Sequence, residues 1–299
     1  MSKSNWDKNN IPNLNGRNII ITGASSGLGK EASRILSEKN ARVIMAVRNV
    51  QKAKIVAKEI RDQVPNAKLD IREMDLSSLQ SIMDFSDGLV SEYKRIDVLI
   101  NNAGIMACPF DKTKDGFEIQ MGTNHLGHFA LTGLMMPLLQ KANNARIVAT
   151  SSLGHKMGKI DFEDIHWEKR KYNSTQAYAD SKLANLYFSY ELGRKLESIG
   201  SNIKVTAAHP GWTRTNLQKH SWYMRMLNPF FSQGPDRGVL PTLRAAFDSH
   251  VGSGNYFGPS RFFEMHGNPV VVQSSKLSHD GVAAKKLWEL SEQMTNIKY

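Results

Sequence analysis

Six short apolar runs recur along this chain: NIII at 18–21, ARVIMAV at 41–47, KLDIREM at 68–74, IDVLI at 96–100, ARIVATS at 145–151 and IKVTAAH at 203–209, with helix-length stretches between them. Runs rich in β-branched residues, without strict polar alternation, suit strands buried on both faces, and helical crossovers join parallel neighbours. The pattern predicts an α/β fold, a doubly wound parallel sheet of about seven strands with helices on both faces. No linker or internal repeat divides residues 1–299, which read as a single domain with a polar tail at 1–15. After His209 the alternation breaks and resumes as helix near Pro235 to Ser249; GVAAKKLWELSEQM at 281–294 reads as a last amphipathic helix on the sheet's edge.

Such sheets take ligands at the carboxyl ends of their strands. The first strand runs into TGASSGLG, Thr22 to Gly29, directly before a helix. Gly23 can supply the tight turn, Gly27 lets backbone approach a pyrophosphate, and Gly29 allows close helix packing, with N–H groups of the helix aimed at the phosphates. Ser25, Ser26 and Leu28 complete this Rossmann-type turn. Where an NAD-binding chain would carry an acid at the end of strand two, this one carries Arg48. A guanidinium binds a 2′-phosphate bidentately, so the expected cofactor is NADP(H). Lys30, in the first helical turn, opposes the helix dipole, which an anion nearby would offset.

The formal net charge of +11 suits nucleic acid, an anionic surface or an anionic small molecule. The basic residues are scattered and no nucleic-acid motif accompanies them, so nucleic acid is not expected. Cys108 is the only cysteine, and the polar MSKSNWDKNNIPNLNG start reads as neither signal peptide nor anchor, which makes a cytoplasmic protein the expectation. LTGLMMPLL at 131–139 falls short of the ~20 residues a membrane span needs.

YADSK, Tyr178 to Lys182, places a tyrosine and a lysine one helical turn apart. With 8 Tyr and 39 basic residues in 299, chance alone yields about one such pair, so the motif gains meaning only from its company. That company is TGASSGLG, NNAG at 101–104, NHLGHF at 124–129, SSLGH at 151–155 and HPGWTRT at 209–215, in order. On these motifs residues 16–295 resemble the short-chain dehydrogenase/reductase family. GLGKEAS, AVRN, SKLAN at 181–185 and GNYFGP at 254–259 look most like its branch of retinol dehydrogenases and light-dependent protochlorophyllide reductases.

The resemblance implies a catalytic set of Asn124, Ser152, Tyr178 and Lys182. It assigns Asp75 and Leu76 to the adenine end of the cofactor, Asn101, Asn102, Ala103 and Gly104 to its ribose side, and Pro210, Gly211 and Thr215 to the nicotinamide. Tyr178 would exchange the proton, Ser152 would polarise the carbonyl, with Ser151 as its rival, Lys182 would hold the ribose, and Asn124 would link it to a water chain. Lowering a tyrosine pKa from about 10 by about 3 units takes roughly 4 kcal/mol, which Lys182 and an oxidised nicotinamide could supply by charge proximity. Ser26 stands where NADP-dependent members often carry a base. The membrane anchor of some retinol dehydrogenases has no counterpart here, so retinoid activity is not implied.

Between Ser152 and Tyr178 lies an extra segment, KIDFEDIHWEKRKYNS at 159–174, read as a solvated loop. His125 and His128 could ligate a metal from one turn, but no third ligand is evident; they read as packing residues, and no metal is expected. Cys108 reads as a small apolar residue near the pocket. Residues 212–235 occupy the place of the family's substrate lid, and Trp212, Trp222, Tyr223, Met226 and Phe230 would cover a lipophilic carbonyl or alcohol; an oligomer interface or membrane contact would also suit them. The leading expectation is an NADP(H)-dependent oxidoreductase for a lipophilic aldehyde, ketone or secondary alcohol. The alternatives are a C=C reductase of the protochlorophyllide type and a silent NADP-binding scaffold. A homodimer through the helices carrying NHLGHF and YADSK is the pairing the family implies.

Overall fold

The computed structural model describes residues 6–213 and 232–299. Its strands are β1 Asn18–Thr22, β2 Arg42–Val47, β3 Lys68–Glu73, β4 Val98–Asn101, β5 Arg146–Thr150, β6 Lys204–Ala208, β7 Tyr256–Arg261 and β8 His266–Val271. They form an 8-stranded sheet in the order β3-β2-β1-β4-β5-β6-β7-β8. Every pairing is parallel except β7 with β8. The doubly wound sheet is therefore present, with an eighth strand added antiparallel at the edge. Chain direction across the sheet reverses between β1 and β4, which opens the crevice where such folds take ligands.

Alternate residues of each strand enter different layers. Ile19, Ile21, Val43 and Met45 pack with α1 (Gly27–Glu38), α2 (Val50–Gln63) and α6 (Leu240–Phe247). Ile20, Ile44, Leu99 and Ile147 pack beneath α3 (Leu79–Glu92), α4 (Gly127–Leu139) and α5 (Ser174–Ser198). Both faces being covered explains why the strands read as unbroken apolar runs. Side-chain oxygens of Asn49, Ser78 and Asn173 cap α2, α3 and α5, fixing where each begins.

Several expectations change. The segment before β1 is no polar tail from Trp6 onward: Trp6, Ile11 and Leu14 are 5%, 2% and 4% exposed and join the core. The last helix, α7 (Gly281–Thr295), lies over α4 and α5 rather than at the sheet's edge. Trp288 stacks on Phe188 at 6.0 Å and meets Phe129 edge-on at 5.0 Å, while the Tyr299 hydroxyl donates to the Phe129 carbonyl at 2.6 Å. Residues 177–190 of α5 are buried throughout. α7 thus packs along part of the helix carrying YADSK, one of the two through which a homodimer was expected.

The segment 159–174 keeps most of its charges in solvent but is anchored to the fold at Asp164, Ile165 and Trp167. The Asp164 carboxylate accepts backbone N–H groups from Glu168, Lys169 and Arg170 at 2.7, 3.1 and 3.1 Å, and Ile165 and Trp167 are buried. Asp180, inside YADSK, accepts from the Lys159 N–H and from Gln176 Nε2, both at 2.7 Å, pinning the start of the segment to α5. At the other variable stretch, Thr213 and Gln233 form a bridge that brings its two ends together. Thr215, Trp222, Tyr223, Met226 and Phe230 lie outside the described residues.

Candidate active site

The turn after β1 is built for close approach. A Cβ on Gly29 would stand 2.4 Å from the Gly23 carbonyl oxygen and 2.8 Å from Asn102 Nδ2, so only glycine lets α1 start there. Gly23 and Gly27 are both left-handed, with φ of 68° and 51°. Ser26 is the N-cap of α1 yet makes no side-chain capping bond, and the first turn holds no acid. Its N–H groups and the dipole are left to an anion, which suits a dinucleotide pyrophosphate. Lys30 pairs with Glu59 on α2, which offsets its unfavourable place in the dipole. Arg48 follows β2, exposed and without an ion pair among the described residues.

Next along the sheet, the NNAG turn is tied to β1. Thr22 Oγ1 accepts the N–H groups of Asn102 at 2.9 Å and Ala103 at 2.8 Å. Its own proton then goes to His128 Nε2 at 2.9 Å, which leaves Nδ1 to donate to the Asn124 carbonyl at 2.9 Å. His128 is therefore a neutral relay, and burial lowers its pKa to about 4. His125 reaches Ser291 of α7 at 2.9 Å, and burial lowers its pKa to about 3. The two histidines join elements of the fold, as packing residues would. Asn101 turns inward to Thr132 at 2.9 Å, and Asp75 accepts from the Ser77 N–H at 3.0 Å. Leu76 packs against Gly127 at the start of α4, where a Cβ would meet its carbonyl at 2.5 Å.

Asn124 sits in a single π-helical stretch, Gly122–Leu126, just before α4. Such bulges recur at functional sites. Its amide donates to the Ile105 carbonyl and Ser181 Oγ, both at 2.9 Å, and accepts the Ile105 N–H at 2.8 Å. Gly104 lies between Asn124 and Lys182: a Cβ there would be 3.1 Å from Asn124 Oδ1 and 3.3 Å from Lys182 Nζ.

Tyr178 and Lys182 share one face of α5, with the ammonium 5.7 Å from the ring centre. Ser152, the N-cap of a short helix at Leu153–Met157, lies beside the Tyr178 ring: a Cβ on Gly154 would stand 3.5 Å from Ser152 Oγ and 3.4 Å from Tyr178 Cε1. Ser151, the rival, is buried and donates to the Lys182 carbonyl at 2.8 Å. Asn124, Ser152, Tyr178 and Lys182 thus converge at the carboxyl ends of β4 and β5. Burial pushes the Tyr178 phenol up to about 12, with the nearby Ser152 hydroxyl opposing, and brings Lys182 down to about 8. Desolvation, the larger effect at both side chains, therefore favours the neutral phenol and the neutral amine.

Pro210 and Gly211 follow β6, and the Pro210 carbonyl accepts from Thr213 Oγ1 and Gln233 Nε2, both at 2.8 Å. Trp212 is half-buried and donates its N–H to the Met265 carbonyl at 3.0 Å. Cys108 is half-buried, its thiol 3.7 Å from the Met106 carbonyl, not a fully buried apolar residue. Sequence reasoning did not find Thr22, His128 as a relay, or Asp180, since their roles rest on contacts between distant elements. Among the described residues no group of three His, Cys, Asp or Glu could hold a metal, and no helix is long and apolar enough to cross a membrane.

A reversed-order parallel sheet, an anion-ready first turn and a tyrosine, serine and lysine meeting at the strand ends define a nicotinamide-dinucleotide oxidoreductase. The sequence profile of the short chain dehydrogenases matches residues 17–225, and the chain belongs to the short-chain dehydrogenase/reductase family, in its retinol dehydrogenase branch. It is 40% identical to human retinol dehydrogenase 11 over 283 residues, 93% of this chain and 85% of that one. Among solved structures, an uncharacterized Mycobacterium paratuberculosis protein is similar at TM-score 0.85 and 40% identity, covering 99% of both chains. A Shigella flexneri short chain dehydrogenase complexed with NADP is similar at TM-score 0.65 and 25% identity, covering 82% of this chain and 97% of that one.

Proposed function

We propose that this protein is an NADP(H)-dependent oxidoreductase acting on a lipophilic aldehyde, ketone or secondary alcohol. The observation that carries the reading is the convergence of Asn124, Ser152, Tyr178 and Lys182 beside the uncapped start of α1. Arg48, exposed at the end of β2, supports NADP(H) over NAD(H), as does the NADP complex of the Shigella flexneri relative. The turn Gly23–Gly29 would take the pyrophosphate, Arg48 the 2′-phosphate, Asp75 and Leu76 the adenine end, Asn101 to Gly104 the ribose side, and Pro210, Gly211 and Thr215 the nicotinamide.

When bound, the cofactor supplies or takes the hydride. In the reducing direction Tyr178, held protonated by burial, donates its proton to the carbonyl oxygen while Ser152 donates a hydrogen bond to the same oxygen. Lys182, with a pKa brought to about 8, sits close enough to neutrality to return a proton to the Tyr178 phenolate, and Asn124, across Gly104, would link it to a water chain that resupplies that proton. The retinol dehydrogenase names of the relatives, together with Trp212 and the aromatic residues that follow it, support a lipophilic substrate. A screen of retinal, long-chain aldehydes, ketones and their alcohols, with NADPH/NADP and NADH/NAD in parallel, tests the reading. Saturable turnover favouring NADP(H) is the expected result; no turnover of any carbonyl or alcohol with either cofactor refutes it.

A further inference from the structure

The β7–β8 turn holds three consecutive non-glycine residues in the left-handed region: Phe262, Phe263 and Glu264 have φ of 50°, 54° and 65°. Side chains rarely adopt that conformation, and such strain persists only where surroundings impose it. The two phenylalanines do not impose it, being 71% and 90% exposed. What the turn delivers is Glu264. One carboxylate oxygen meets Nε2 of the buried His209 at 3.0 Å, and the other lies 3.5 Å from Lys156 Nζ.

The protonation of that contact follows from its neighbours. The Gly211 N–H donates to His209 Nδ1 at 3.2 Å, so Nδ1 carries the lone pair and Nε2–H donates to Glu264. His209 has room only because residue 258 is glycine, where a Cβ would stand 2.1 Å from Nε2. The backbone of the same turn shapes the loop after β6. Gly211 has φ +66°, and a Cβ there would meet the carbonyl oxygens of Met265 and Glu264 at 2.4 and 2.9 Å. On the other side, Lys156 belongs to the Leu153–Met157 helix that Ser152 caps. Glu264 therefore ties the turn carrying Ser152 to the turn carrying Pro210 and Gly211.

We propose that Glu264 is a positioning residue: through His209 and Lys156 it sets the spacing between the Ser152 hydroxyl and the Pro210–Gly211 backbone against which a nicotinamide is held. This rests on the preceding reading that a nicotinamide dinucleotide binds along the carboxyl ends of β1 to β6. The adenosine end of that dinucleotide would lie beyond the reach of Glu264, which gives the proposal a readout that a general loss of fold would not share.

Calorimetric binding of NADPH and of adenosine 2′,5′-bisphosphate, which carries only the adenosine end, provides the test. Glu264→Ala is expected to weaken NADPH about tenfold and leave the bisphosphate unchanged. Glu264→Gln, whose amide oxygen still accepts from His209 Nε2–H, is expected to recover most of that affinity. Lys156→Ala, at the half-exposed end of the tie, keeps the core intact and is expected to weaken NADPH by about threefold. Equal weakening of both ligands, or NADPH affinity unchanged in Glu264→Ala and Lys156→Ala, overturns the proposal. If the wild type takes NADH instead, NADH and adenosine monophosphate replace the pair, so the Arg48 reading fails separately from this one.

Discussion

Replacing His125 with leucine isolates what a buried neutral histidine does to acid stability. The ring lies wholly inside, bonded through Nε2 to Ser291 and packed against Phe129 and Phe188 at 6.2 and 6.1 Å. Burial lowers its pKa to about 3. Between that value and the ordinary histidine value near 6.5, the unfolded chain binds a proton that the native state refuses, so stability falls as the pH drops through this window. At pH 5 the linkage amounts to about 2 kcal/mol for this one side chain. His128 and His155, lowered by burial to about 4, act in the same direction, whereas Glu118 and Asp180, raised by burial, act against it. The wild-type slope is therefore composite, and only a difference between two proteins reports one residue. Urea unfolding followed by circular dichroism at pH 7 and pH 5 should show His125→Leu losing about 2 kcal/mol less than wild type on acidification. Identical losses in the two proteins would refute the assignment of His125 as a buried neutral group.

Arg48→Asp should raise the KM for NADPH at least tenfold while changing that for NADH little, because a carboxylate repels the 2′-phosphate and accepts ribose hydroxyls; an unchanged ratio points to NAD. Because α7 covers α4 and α5, light scattering should find a monomer, and a dimer that persists with α7 docked would place pairing elsewhere. Trp288→Ala, which removes a side chain 3% exposed from the junction with Phe129 and Phe188, should cost about 3 to 5 kcal/mol in urea unfolding.

Six strands were legible because buried parallel strands carry continuous β-branched runs, and each run lies within a residue or two of a strand in the structure. The last two strands were not, for local reasons. Gly258 stands where His209 needs space, and Pro259 and Pro269 break the signal at a position near the edge, where missing ladder donors are tolerated. Tyr178 and Lys182 were legible as a helical spacing backed by ordered motifs. The Thr22–His128–Asn124 relay was not, since it joins three elements far apart in the chain, and a histidine's partner is set by tertiary packing. The anchoring of 159–174 was not legible, because most of its charges do face solvent, whereas Asp164 and Asp180 accept backbone N–H groups and Arg170 stacks on Trp167 at 3.6 Å. The depth at which Tyr178 and Lys182 are buried was not legible either, since a sequence shows the neighbouring lysine but not the desolvation of both side chains.

The most direct test of the account is Tyr178→Phe, which removes one hydroxyl from a ring 9% exposed and keeps its shape. With a carbonyl that the wild type turns over, steady-state NADPH oxidation should fall by about a thousandfold or more, while NADPH binding measured by fluorescence stays within about threefold. Turnover by the phenylalanine variant equal to wild type would contradict the assignment of Tyr178 as the proton donor.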